Sequence, residues 1–244
     1  MLITGGSRGI GRATALMAAE RGRSVAISYV ADDQAAARTV SEIEAIGQRA
    51  IAVRGDVAHE ADVLRIFDEA EAALGVLDAV VVNAGIVAPA LPLAEMGIDR
   101  LRRVFEVNVL GAYLSAREAA RRLSTGRGGA GGAIVLVSSM ASRLGSPFEY
   151  VDYAGAKGAV DTLVVGLAKE LAREGVRVNG VRPGLIDTEI HASGGRPDRA
   201  HALGKDSPLG RAGTAEEVAE AIMWLIGDAS SYTTGTLIDV AGGR

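Results

Sequence analysis

Met1-Leu2-Ile3-Thr4-Gly5-Gly6-Ser7-Arg8-Gly9-Ile10-Gly11-Arg12-Ala13-Thr14-Ala15-Leu16 decides how the rest of this chain is to be understood. A short apolar run, Met1 to Thr4, gives way to a glycine-rich turn, and an Ala-rich segment with helical periodicity follows from Gly9 to Gly22. Strand, tight turn and helix in that order leave backbone N–H groups and the positive end of a helix dipole facing outward, an arrangement that favours an anion. The glycines suit three separate demands: Gly5 a tight turn, Gly9 a close approach of the backbone to a pyrophosphate, Gly11 the packing of the helix against the sheet. The spacing is Gly-x-x-x-Gly-x-Gly rather than Gly-x-Gly-x-x-Gly, and a glycine turn that binds nothing is an ordinary alternative. Its place directly after a strand favours the anion site.

Outward from this turn the same alternation continues. Ser24–Tyr29, Arg49–Val53, Asp78–Asn83, Ala133–Ser138, Val176–Arg182 and Thr236–Val240 are predicted strands, which with Met1–Thr4 makes seven. Helices are predicted over Gly9–Gly22, Asp33–Gly47, Ala61–Leu74, Asp99–Leu123, Tyr153–Glu174 and Thr214–Ile226. Runs such as Ala79-Val80-Val81-Val82 and Ile134-Val135-Leu136-Val137 are apolar at every position, the pattern of a parallel strand covered on both faces. The expected fold is therefore α/β, a doubly wound seven-stranded parallel sheet with helices on both faces, forming one domain over residues 1–244. Three loops break the rhythm: Ser124–Gly132, Met140–Val151 and Asp187–Pro208, the last long enough to be a substrate lid over about 187–208.

Composition narrows the chemistry. Among 244 residues, 26 Lys plus Arg against 30 Asp plus Glu leave a net charge of −4, so no global positive field invites nucleic acid. Zero cysteines exclude thiolate zinc sites, iron–sulfur clusters and a cysteine nucleophile, and three scattered His (His59, His191, His201) give no expectation of a metal site. No run of eighteen or more apolar residues and no charged, then apolar, leader are present, so neither a membrane partner nor export is expected and the cytoplasm is the expected location.

Three further motifs join the glycine turn: Val82-Asn83-Ala84-Gly85, Tyr153-Ala154-Gly155-Ala156-Lys157, and Asp56-Val57 with Pro183-Gly184 and the closing Asp239-Val240-Ala241-Gly242-Gly243. Together they resemble the short-chain dehydrogenase/reductase family over essentially the whole chain, most of all its 3-oxoacyl-carrier-protein reductases and glucose 1-dehydrogenases. The resemblance implies a Rossmann-type sheet and an NAD(P)-dependent oxidoreductase that moves a hydride between nicotinamide and a carbonyl or secondary alcohol. Members of that family usually carry several residues ahead of the loop, so a first strand opening at Met1 is expected to be weak.

The resemblance also implies a cofactor site. It would comprise Gly5, Ser7, Arg8, Gly9, Ile10 and Gly11 of the loop, and Tyr29 at the end of the second strand. Asp56 would bond the adenine amino group with Val57 beside it, and Asn83, Ala84 and Gly85 would brace the sheet and meet the ribose. Pro183, Gly184, Ile186 and Thr188 would hold the carboxamide, and Tyr153 and Lys157 would complete the site, Lys157 bonding the nicotinamide ribose hydroxyls. Considered alone, Asp56 could equally be a helix-entry residue and the tripeptide a plain turn. NAD-specific sites commonly end the second strand in a carboxylate that binds the adenosine ribose. Here that position is Tyr29, followed by Val30, while Asp32 and Asp33 fall where a helix cap belongs. With Arg8 available to a 2′-phosphate, NADP(H) is the preferred cofactor and NAD(H) a possible one.

Tyr153 and Lys157, four apart on a helix, share one face. A free phenol near pKa 10 exchanges protons slowly at neutrality, and a nearby ammonium is expected to lower it. Ser139 follows the fifth strand, where its hydroxyl can hold a carbonyl oxygen; the family pattern selects it over Ser138. Asn108 is out of place in a helix interior, and the resemblance implies that it kinks the helix and holds a water linked to Lys157. The expected site is thus Asn108, Ser139, Tyr153 and Lys157, with Tyr153 as general acid/base. Arg143, Glu149, Tyr150, His191 and Arg196 are polar candidates near the substrate. Arg121, Arg122, Arg127 and Arg173 could form a basic patch at the mouth for an acyl carrier protein. The alternatives to a small-molecule oxidoreductase are that carrier-protein reductase and a catalytically silent NADP(H)-binding regulator. A homotetramer is expected from the apolar circumference of the Tyr153–Glu174 helix, and the resemblance places its two-fold contacts there and at the terminal strand.

Overall fold

The computed structural model describes residues 1–244. Seven strands, β1 (Leu2–Ile3), β2 (Val25–Tyr29), β3 (Ala50–Arg54), β4 (Ala79–Val82), β5 (Gly132–Val137), β6 (Val176–Pro183) and β7 (Leu237–Val240), form one sheet in the order β3-β2-β1-β4-β5-β6-β7. Every pairing is parallel. The helices are α1 (Gly9–Glu20), α2 (Asp33–Ala45), α3 (Glu60–Leu74), α4 (Ile98–Phe105), α5 (Gly111–Leu123), α6 (Ala141–Leu144), α7 (Val151–Leu171), α8 (Ile190–Ser193), α9 (Arg199–Gly204) and α10 (Ala215–Ile226).

Because strand side chains alternate, successive apolar residues feed opposite layers. Ile3, Ile27, Val81, Val135 and Val181 pack with α1, α2 and α10. Leu2, Ala26, Val80, Ile134 and Val178 pack with α3, α5 and α7. The strands are apolar throughout for this reason: each position is inside one layer or the other.

β1 is only two residues long, yet Leu2 and Ile3 are fully buried and stand at the centre of the sheet rather than at an edge. Two residue pairs, Leu2 with Val80 and Ile3 with Val81, join the β1-β2-β3 half of the sheet to the β4–β7 half. Asn83 reinforces that narrow seam: its amide donates to the carbonyls of Thr4 and Gly5, both at 2.9 Å.

The predicted helix Asp99–Leu123 is not continuous. α4 ends at Phe105, a π-turn runs from Glu106 to Leu110 and α5 resumes at Gly111. Asn108 lies in that wide turn, fully buried. The predicted loop Met140–Val151 carries α6, and Asp187–Pro208 carries α8 and α9. The helix that carries Tyr153 and Lys157, α7, starts at Val151, two residues ahead of the predicted start.

At the opposite edge, Arg177 of β6 holds the end of α10. Its guanidinium donates to the carbonyls of Leu225 (2.7 Å), Ile226 (3.0 Å) and Gly227 (3.2 Å) and to Ser230 Oγ (2.9 Å). Helix-end carbonyls otherwise lack partners, so Arg177→Met is expected to lower unfolding free energy by about 2–4 kcal/mol in urea titrations, with the urea slope unchanged.

Candidate active site

The glycine turn has the backbone its sequence predicts. Gly5 and Gly9 adopt φ of +66° and +53°, a region that favours glycine. A methyl group on Gly11 would stand 2.3 Å from the Gly5 carbonyl oxygen and 2.6 Å from Asn83 Nδ2, so Gly11 is required chiefly by the loop and Asn83. No side chain caps the first turn of α1, and no acid stands in it. Those N–H groups therefore have no capping group within the helix, as a phosphate-binding turn needs, while Asp32, Asp56 and Glu189 line the cleft they face. The cleft, about 320 Å³, is lined by Gly5, Ser7, Arg8, Gly9, Ile10, Tyr29, Asp56, Val57, Asn83, Ala84, Gly85 and Thr188.

At the end of β2, the two acids do what their positions predicted. Asp32 Oδ1 caps α2 by accepting from the Ala35 N–H at 2.8 Å. The Asp33 carboxylate beside the Tyr29 phenol holds its pKa above the ordinary value. Asp56 accepts from the Ala58 N–H (3.0 Å) and from Arg103 (2.6 Å). Burial acts to raise its pKa, but these donors hold the carboxyl below the usual range. Arg103, on α4, was not foreseen, because its partner lies 47 residues away.

A second cavity of about 530 Å³ adjoins the first along the carboxyl edge of the sheet, sharing Ile10, Asn83, Gly85, Thr188 and Ile190 with it. Ser139, Tyr153, Lys157, Pro183, Gly184 and Ile186 line it. The Tyr153 phenol stands beside the Ser139 hydroxyl, which acts to lower its pKa. Lys157 Nζ donates to the Val137 carbonyl at 2.7 Å and stands 5.6 Å from the centre of the Tyr153 ring. Three of the four expected catalytic residues thus meet in one cavity. Asn108 sits behind it: Oδ1 accepts from the Ile86 N–H at 3.0 Å, and Nδ2 donates to the carbonyls of Ile86 and Val104, both at 2.9 Å. Both amide hydrogens are committed to the main chain, so the side chain braces the π-turn against the end of β4. A methyl on Gly85 would collide with Asn108 Oδ1 at 2.8 Å.

The expectation that Lys157 lowers the phenol's pKa is corrected for the cofactor-free protein. Burial pushes Tyr153 up to about 12, with the Ser139 hydroxyl opposing it. Burial pushes Lys157 down to about 8, with Asp161 one turn along the helix opposing it. Desolvation is the dominant cause for both groups. Ser138 points away from the cavity's reactive end, donating toward Asp161 Oδ1 at 2.5 Å and the Lys157 carbonyl at 3.2 Å.

Among the polar candidates, Glu149, Tyr150 and His191 line the cavity, with Arg199, which sequence reasoning missed. Glu149 accepts from Arg196 (2.6 Å) and Arg199 (2.5 Å), tying the 187–208 segment to the loop before α7. Arg143 instead pairs with Asp239 at 2.8 Å. The arginine patch is also corrected. Arg121, Arg122, Arg127 and Arg173 precede β5 or β6, at the amino edge of the sheet, opposite the cavity. Arg122 is moreover occupied by Asp68, Glu71 and Glu118.

A parallel doubly wound sheet with a glycine turn after β1 and a Ser–Tyr–Lys cluster at its carboxyl edge defines a class, and the comparisons agree. The family model described as enoyl-(acyl carrier protein) reductase matches residues 5–244. The chain is 49% identical to the uncharacterized oxidoreductase YgfF of Escherichia coli (strain K12), over 100% of this chain and 98% of that protein. It is 40% identical to the L-rhamnose 1-dehydrogenase (NAD(P)(+)) of Sphingomonas sp. (strain SKA58), over 100% and 94%. The crystal structure of a 3-ketoacyl-(acyl-carrier-protein) reductase from Brucella melitensis complexed with NADH superposes with a TM-score of 0.91 at 30% identity, covering 100% of this chain and 96% of that one. The chain belongs to the short-chain dehydrogenase/reductase family and is an NAD(P)-dependent oxidoreductase acting on CH–OH donors. No helix is long and apolar enough to cross a membrane.

Proposed function

We propose that this protein interconverts a small carbonyl compound and its secondary alcohol, with NADP(H) preferred and Tyr153 as the general acid/base. The observation that carries this reading is the meeting of Ser139, Tyr153 and Lys157 in one cavity, at the end of the cleft that begins at the glycine turn. The nicotinamide, when bound, supplies or takes up the hydride. Ser139 holds the substrate oxygen, and Tyr153 passes it a proton in reduction or removes one in oxidation. Lys157 orients the nicotinamide ribose and offers its charge to the phenol once that proton leaves. Asn108 keeps the π-turn, and with it the wall behind Lys157, in place. Gly5, Ser7, Gly9, Ile10 and Gly11 receive the pyrophosphate; Tyr29, Asp56, Val57 and Asn83 to Gly85 flank the adenosine; Pro183, Gly184, Ile186 and Thr188 take the carboxamide end. Residues 187–208 form the substrate lid of a single domain in the cytoplasm.

A carrier-protein substrate loses its argument, since the four arginines advanced for it lie at the far edge. The deciding experiment is oxidation and reduction of a panel of sugars, cyclic ketones and acyl thioesters with both cofactors. Turnover of none, with tight NADPH binding, would replace the enzyme by a silent sensor.

Arg8 lines the cleft and no carboxylate ends β2. Arg8→Ala is expected to weaken NADPH by about 10- to 100-fold, the worth of a charge-assisted hydrogen bond, and NADH by less than about threefold. Fluorescence titration with both cofactors checks it; equal losses would assign Arg8 to loop shape.

Phe105, Leu110 and Tyr113 on the α4–α5 side and Val165 on α7 are exposed apolar side chains on neighbouring elements. This supports a homotetramer whose first contact buries these helices. Light scattering should give about four times the mass of one chain; a monomer would overturn it.

A further inference from the structure

Arg100 and Asp152 form an ion pair at the start of α7, next to the cavity-lining Tyr153, with side chains 12% and 1% exposed. Arg100 Nε donates to Asp152 Oδ2 at 2.8 Å and Nη2 to Oδ1 at 3.3 Å, a two-pronged contact. Asp152 immediately precedes Tyr153 in the first turn of α7, and its Oδ1 also accepts the Tyr153 N–H at 2.9 Å. No side chain of the preceding residue caps α7, so Asp152 is the group that satisfies this turn.

The other prongs of Arg100 reach the flanking loops. Nη1 donates to the Pro89 carbonyl and Nη2 to the Glu149 carbonyl at 3.4 Å. The Leu91 N–H donates to that same Glu149 carbonyl at 3.1 Å. One guanidinium therefore gathers the segment after β4, the loop before α7 and the first turn of α7 itself. A buried ion pair is a weak means of stabilising a fold, since desolvation offsets most of its attraction. What it supplies here is a fixed direction and distance for the residue next to it.

We infer that the Arg100–Asp152 pair is a positioning clamp for Tyr153: it sets the phenol against Ser139, and its loss slows proton transfer while leaving the cofactor cleft intact. The inference rests on Tyr153 being the acid/base. Neither residue lines the glycine-turn cleft, which separates the clamp from the residues proposed to receive the pyrophosphate and adenosine.

The test uses the full-length protein, with Asp152→Asn, Arg100→Met, the double variant, Arg100→Lys and Tyr153→Phe. In NADPH-dependent reduction of 2,3-butanedione, each neutralising single variant should lower kcat by about 10- to 100-fold, the scale of a misplaced reacting group. The double variant should be no worse than either single, the solvent deuterium isotope effect on kcat should rise, and the NADPH Kd should stay within twofold. Arg100→Lys, which keeps the charge and loses the fork, should recover part of kcat. Independently of any substrate, 3-fluorotyrosine labelling should give a Tyr153 fluorine resonance, identified by its loss in Tyr153→Phe, that moves in both single variants. Unchanged kcat and an unmoved resonance would overturn the clamp, as would kcat, NADPH affinity and melting temperature falling together. Near-normal turnover by Tyr153→Phe would instead remove the acid/base assignment beneath it.

Discussion

Tyr153→Phe is expected to lower kcat by about 10²- to 10⁴-fold, the usual contribution of a positioned general acid, which corresponds to roughly 3–5 kcal/mol of transition-state free energy. The reasoning is local. Burial keeps the phenol's pKa near 12 in the cofactor-free protein, so the group is a proton donor throughout the neutral range. Phenylalanine retains the ring, which packs in the same half-buried place, and loses only the hydroxyl. NADPH affinity should therefore stay within about twofold, since only the hydroxyl is lost and the ring still packs. Stopped-flow turnover beside equilibrium titration separates the two effects. Retained turnover would assign the proton to another group.

Gly11→Ala is expected to abolish measurable cofactor binding and to destabilise the fold. The added methyl would sit 2.3 Å from a backbone oxygen and 2.6 Å from Asn83 Nδ2, and neither neighbour is free to retreat. The Gly5 carbonyl accepts from Asn83, whose amide also holds Thr4, and the Thr4 N–H is bonded to the Val81 carbonyl at 3.0 Å. Overpacking of this kind costs about 1–3 kcal/mol, or roughly 2–10 °C in melting temperature for a chain of this size. Calorimetry with and without NADPH tests both halves: the variant should melt lower and gain no stabilisation from the cofactor. A ligand-induced rise equal to the parent's would show that the loop accommodates a methyl.

The layout of strands and helices was legible because it depends on local patterns. Strands such as Ala79–Val82 are apolar at every residue because both faces are covered, and the glycines at 5 and 9 report a left-handed backbone through the residue type itself. The Tyr153–Lys157 pair was legible because i, i+4 spacing on a helix guarantees a shared face. What escaped was written across distance. Arg100 and Asp152 are 52 residues apart, Arg103 and Asp56 47, Arg199 and Glu149 50, and nothing in either partner's neighbourhood announces the other. Asn108 was legible as an anomaly in a helix, but not the π-turn that resolves it, since that depends on the main-chain groups of Ile86 and Val104 being within reach. Burial was the other hidden quantity: Tyr153 and Lys157 look from their spacing like a pair that tunes the phenol downward, and the low dielectric around them reverses the sign.

Cut at the β1–β4 seam, the sheet divides into two pieces, with α1 and α10 packed across the same seam in one core. Residues 1–75 carry the glycine turn, Tyr29 and Asp56; residues 76–244 carry Asn83, Asn108, Ser139, Tyr153 and Lys157, and within the sheet the pieces touch through Leu2–Val80 and Ile3–Val81. On the proposed function, a dinucleotide laid along the cleft grips both pieces and acts as a suture between them. At a hundred times its Kd such a ligand adds about 2.7 kcal/mol against unfolding, and that energy falls across the joint where the sheet itself is thinnest.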